Sequence, residues 1–158
     1  NLQERLARDD HNAAKAAALT LGREVEGVRE IDSDEAREAW QSIAPGLSEA
    51  TNHASAADGI EGTRAAFEGI SIQIKLLLQR FGNPLTTPVR LAFCPMAFDN
   101  RGAEWVQRSD EIDNSYFGAT MRRCGSFRAT VHPGEHLVIA EEEVAGTRSG
   151  SGHQEHRH

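Results

Sequence analysis

Two cysteines and two methionines are the whole sulfur complement of this 158-residue sequence, and each methionine lies within three positions of a cysteine. Cys94 and Met96 stand in CPM, and Met121 and Cys124 in MRRC. An extended i, i+2 pair sends both side chains to one side, and the Pro between the first pair fixes one dihedral. A pair three residues apart does the same on a helical turn. If the two loops close on each other, the four residues form a cage of two thiolates and two thioethers. Polarisable sulfur of this kind selects Cu(I), and by extension Ag(I), over Zn, Mg or Ca. Trp105 falls between the pairs and offers a ring that could cover an open face of the cation. His132 and His136, flanking the Pro133-Gly134 turn, are the nearest imidazoles that could touch such a site.

Other chemistries compete for the same residues. A Cys94–Cys124 disulfide would close a loop of about thirty residues and stabilise an exported fold by roughly 3 to 4 kcal/mol. That reading leaves Met96 and Met121 as core filler, the commoner use of methionine. Zinc is a weaker alternative, because the cysteines lack CxxC spacing and the histidines would have to complete the site. The sequence predicts no enzyme: neither cysteine has a neighbouring base or a nucleophile signature, and GxSxG, HExxH and P-loop patterns are absent. His153, His156 and His158 could hold Cu(II), Ni(II) or Zn(II) loosely or belong to a solvated tail. His11 and His53 are expected at the surface, Glu141 to Glu143 on a solvated face, and Asp99 with Asn100 in a turn.

The elements that must position these groups follow from periodicity. The pattern predicts a mainly α fold, a three- or four-helix antiparallel bundle over 1–82 with a small irregular or β-containing lobe over 85–145. Ala-rich helix spans Leu2 to Val28, as one segment or two. Asp32 with Glu35 has capping-box spacing for a second long helix through Trp40, Ile43 and Leu47, which Pro45 and Gly46 should kink or interrupt. A third starts near Asp58 and carries Ile60, Phe67, Ile70, Ile74 and Leu78 up to the Gly82-Asn83-Pro84 stop. Short strands are expected at Val89–Phe93, Trp105–Gln107, Phe127–Val131 and His136–Ala140. Residues 1–145 read as a single domain, and 146–158 as a flexible, His-rich tail.

Composition narrows the function. With 24 acidic and 17 basic residues the formal charge is −7, which repels phosphate backbones and anionic lipid. Neither nucleic acid nor a membrane surface is an expected partner, and no apolar run of about 18 residues predicts a bilayer span. The chain opens on Asn1 without a charged leader and apolar core, so it is expected to be a mature or excised piece.

CPMAFDNRGAEWVQ followed by DEIDNSYFGATMRRCG resembles the uncharacterised domain found at the C-terminal end of periplasmic adaptor (membrane fusion) subunits of copper- and silver-exporting heavy-metal efflux systems of the resistance-nodulation-division type. The LQERLARDDHNAAKAAA opening and the LLLQRFG helix end are similar to the same family, so that the likeness covers roughly residues 2–128. Ser115 stands where the family usually has Pro, Arg122 and Arg123 replace less charged residues, and the stretch from about 129 has no counterpart. The resemblance implies a periplasmic domain that takes up Cu(I) or Ag(I) through Cys94, Met96, Met121 and Cys124. It would pass the ion to, or sense it for, efflux adaptor and pump components or a periplasmic metallochaperone. The alternative it leaves open is a disulfide-stapled structural or interaction domain of the adaptor.

Overall fold

A computed structural model describes residues 1–139. Helix α1 (Leu2–Ala7) is capped by Asn1, and α2 (His11–Gly27) by the Asp10 carboxylate, which accepts from the Ala13 N–H. The Leu2 to Val28 stretch is therefore two helices. Asp9, with φ 58, makes the break in the left-handed region that Asp tolerates better than most residues. Helix α3 (Asp34–Ala56) starts one residue later than the capping-box spacing suggests, with Ser33 Oγ accepting from the Ala36 N–H. Helix α4 (Ile60–Phe81) begins after Gly59 and ends at Gly82, whose φ of 75 stops it.

Pro45 does not interrupt α3. The carbonyl that loses its donor belongs to Gln41, and both residues lie on the exposed face, open to solvent, while Ile43 and Leu47 hold the buried face. Gly46 serves packing instead: a Cβ there would stand 2.7 Å from the Gln73 amide of α4. Helix α3 packs against α2 on one side and α4 on the other, while α2 and α4 barely touch.

Beyond α4 the chain forms a three-stranded antiparallel sheet in the order β2-β1-β3, from β1 (Val89–Cys94), β2 (Ala103–Gln107) and β3 (Ser126–Val131). Mostly helix with a small sheet lobe is the expected class. The sheet's inner face packs into the bundle, since Ala92, Cys94, Ala103, Trp105 and Tyr116 share one buried cluster with Leu6, Leu47, Phe67 and Ile70. A fourth strand at 136–139 does not form; residue 140 lies outside the described residues. The Pro133-Gly134 turn sends the chain back to the end of α4, where Asn83 N–H donates to Glu135 O and Leu137 N–H to Leu78 O. Backbone groups engaged there are not free to extend a sheet ladder. Among the described residues no helix is long and apolar enough to cross a membrane.

A buried arginine pins lobe to bundle. Arg64 of α4, 5% exposed, donates through Nε to Ser115 O (2.8 Å) and through Nη2 to Leu6 O (2.9 Å) and Asp9 Oδ1 (2.7 Å). Its remaining Nη1 reaches Glu61 Oε1 at 3.0 Å. A buried guanidinium requires this many acceptors, because its desolvation is offset only by paired charge and hydrogen bonds. The bond at Ser115 fixes the start of the segment that leads to Cys124.

Candidate metal centre

Cys94 is the last residue of β1, and its side chain falls on the buried face with Ala92 because side chains alternate along a strand. Cys124 follows a single 3-10 turn (Gly118–Met121), and its N–H donates back to Met121 O at 3.0 Å. The two Sγ atoms meet at 3.4 Å across thirty residues of sequence, both as free thiols. That separation is longer than the about 2.05 Å of a disulfide bond. At this distance either thiol can donate a hydrogen bond to the other.

Asn114 holds the cysteine turn in place. Completely buried, it donates through Nδ2 to Cys124 O (2.8 Å), and its Oδ1 accepts from the N–H groups of Tyr116 (2.8 Å) and Phe117 (3.1 Å). Its own N–H donates to Arg122 O at 2.8 Å. One side chain thus closes the loop from 114 to 124, a use of asparagine that rests on its paired donor and acceptor. Gly125 completes the approach: its φ is 132, and a Cβ would lie 2.7 Å from Phe93 O and 3.2 Å from the Trp105 ring. Only glycine lets the chain pass so near β1.

The other proposed ligands are placed less centrally. The strand ends at Cys94, so CPM is not extended through Met96. Met96 adopts a helical φ of −90° and ψ of −10°, and Asn100 N–H donates to its carbonyl at 3.4 Å. The following turn carries Phe98, Asp99 and Asn100 in left-handed conformation, and Met96 is 45% exposed where Cys94 is 0%. Met121 is half-buried on the cysteine turn. Trp105 is fully buried in the cluster that includes both cysteines, with its Nε1–H on Gln107 Oε1 at 2.9 Å. His132 and His136 follow β3, whose Val131 pairs with Val89 at the opposite end of β1 from Cys94, about 16 Å along the strand. His136 Nδ1 meets Gln79 O at 2.9 Å. His11 is partly exposed, with its Nε2 buried and without a hydrogen-bond partner among the described residues. His153, His156 and His158 lie outside the described residues.

Among the described residues, no three of His, Cys, Asp and Glu converge on one point. The sulfur donors brought into contact are the two thiols, Cys94 and Cys124. Burial pushes the Cys124 thiol above its ordinary pKa, and the adjoining Cys94 sulfur raises it further. An ion entering the pair must displace thiol protons.

A family described as "Protein of unknown function (DUF3347)" has a model that matches residues 1–86, more than half of the sequence. The chain belongs to this family. The matched stretch covers α1 to α4 and ends three residues before β1, so Cys94, Met96, Met121 and Cys124 all stand outside it. No curated protein and no solved structure matches the chain.

In the sequence, DN at 113–114 stood out only as part of the resemblance, and Arg64 not at all. Their roles depend on acceptors contributed from remote segments, which no local pattern displays.

Proposed function

We propose that the Cys94–Cys124 pair binds one Cu(I) or Ag(I) ion, and that the chain is a periplasmic metal-handling domain associated with a heavy-metal efflux adaptor. The observation that carries this reading is the 3.4 Å approach of two free sulfurs, one from the end of β1 and one from the 124 turn. Two converging thiolates without a third nitrogen or oxygen donor favour a soft monovalent ion. Met96 and Met121 serve as auxiliary thioethers, weak enough to let the ion leave by ligand exchange toward an adaptor, pump or metallochaperone. No bond-making catalysis is required. The adaptor association and the periplasmic setting rest on the sequence resemblance alone.

A second reading draws on the same contact: sulfurs this near close into a disulfide with a small shift, making the pair a permanent staple. Two measurements separate the readings. A thiol count on freshly isolated, never-reduced protein gives two free thiols for a metal site and none for a staple. Competition of reduced protein with a Cu(I) chelator of known affinity gives one ion per chain, lost in Cys94→Ser and Cys124→Ser. Uptake unchanged in both serine variants would remove the cysteines from the site.

A further inference from the structure

Because α2 and α4 both pack on α3 and barely touch each other, a groove of about 940 Å³ opens between them. Its floor is the apolar stripe of α4, with Phe67, Ile74 and Leu77, and its walls are Leu21 of α2, Trp40 of α3 and Val106 of β2. The volume lies at the upper end of the roughly 300–1,000 Å³ of small-molecule sites. Val28, Phe81 and Leu85 remain between 38% and 42% exposed at its rim. Large apolar side chains left in water along one continuous trough mark a binding surface, in contrast to scattered single exposures.

Charge at the trough selects the occupant. Gln3, Asn83 and Gln107 line it, but their amides already bond to Asp113 O, Val131 O and Ser109 O. Two charged side chains line it without an ion pair among the described residues: Glu24 on the α2 wall and Arg108 just past β2. Glu24 repels an anion from its own side, while the Arg108 guanidinium offers paired donors of carboxylate geometry. From Phe67 to Phe81 the α4 stripe rises about 21 Å, the length of an extended acyl chain of about sixteen carbons.

We infer that this groove binds a long-chain fatty acid, with the acyl chain along α4 and the carboxylate on Arg108. This inference is independent of the sulfur site. Fluorescence titration of the full chain with cis-parinaric acid tests it. The expected result is saturable 1:1 binding at about micromolar Kd. Arg108→Gln, at an exposed position, weakens the acid about tenfold and leaves the methyl ester unchanged. Ile74→Trp, checked for retained helicity by circular dichroism, blocks both probes. Non-saturable binding overturns the inference, as does equal affinity of acid and ester in the parent. A chain dimer that competes with the probe overturns it too, because a second copy would then be the occupant.

Discussion

Gly125→Ala tests how the sulfur pair is brought together. At φ 132 an alanine costs about 1–2 kcal/mol in backbone strain. Its Cβ would also stand 2.7 Å from Phe93 O, a backbone atom of the central strand that cannot swing away. Relieving that contact means moving the 124–125 turn or β1 by several tenths of an ångström, which adds about 1–2 kcal/mol on the scale of overpacked cores. The expected total is about 3 kcal/mol. Gly134→Ala is the internal control, because Gly134 has φ 79 but nothing within 4 Å of its would-be Cβ. It should cost only the strain, about 1 kcal/mol. Urea unfolding of parent and both variants in reducing buffer, at equal m-value, gives the two losses. If Gly125→Ala loses no more than Gly134→Ala, the approach to Phe93 is not what positions Cys124, and the account of the pair is wrong.

Two further outcomes follow from protonation. Ion uptake that releases two thiol protons makes apparent Ag(I) affinity rise about 100-fold per pH unit while both thiols are protonated. With Cys124 held above the ordinary thiol range, its proton is among those the ion must displace at neutral pH; a competition titration at pH 6, 7 and 8 showing about tenfold per unit or less would exclude a dithiolate. Hydrogen bonds from Arg64 and from the Ala119 N–H hold the Asp9 carboxyl below its usual value. A depressed folded pKa contributes stability above the unfolded value near 3.8, lost as pH falls through the folded one. Stability of Asp9→Asn should therefore fall less steeply than the parent's between pH 5 and pH 2 in urea titrations, and parallel curves would show that the carboxylate is not linked to folding.

Helices were the legible part of the sequence because one apolar stripe per helix is a local, repeating signal. Phe67, Ile70 and Leu78 announced α4, and Gly82 its end. Capping residues were harder to place: Ser33 displaced Asp32 by one position, since several side chains near a helix start can accept the same N–H. Pro45 misled because its effect depends on whether the freed carbonyl faces water, which periodicity alone does not settle. The absent strand at 136–139 was a competition between partners, and the end of α4 took the backbone bonds that a sheet would have needed. At the site, scarcity and spacing singled out the four sulfur residues, and the fold brings Cys94 and Cys124 into contact. The direction of Met96 was not legible, because Pro95 ends the strand instead of extending it. Asn114 and Arg64 act on carbonyls fixed only by tertiary structure.

Asn114 has a consequence for reversibility. The 124 turn hangs on hydrogen bonds of the Asn114 side chain, which donates to Cys124 O and accepts from the Tyr116 and Phe117 N–H groups, and none of them involves sulfur. A domain whose loops are organised by its ion collapses when stripped, so that release carries the whole cost of unfolding. If the pair carries the proposed ion, the emptied thiols would stay in register and face each other, Cys94 buried and Cys124 half-buried. Loading and unloading would then be separated by ligand exchange alone, and a chelator would empty the chain without denaturing it.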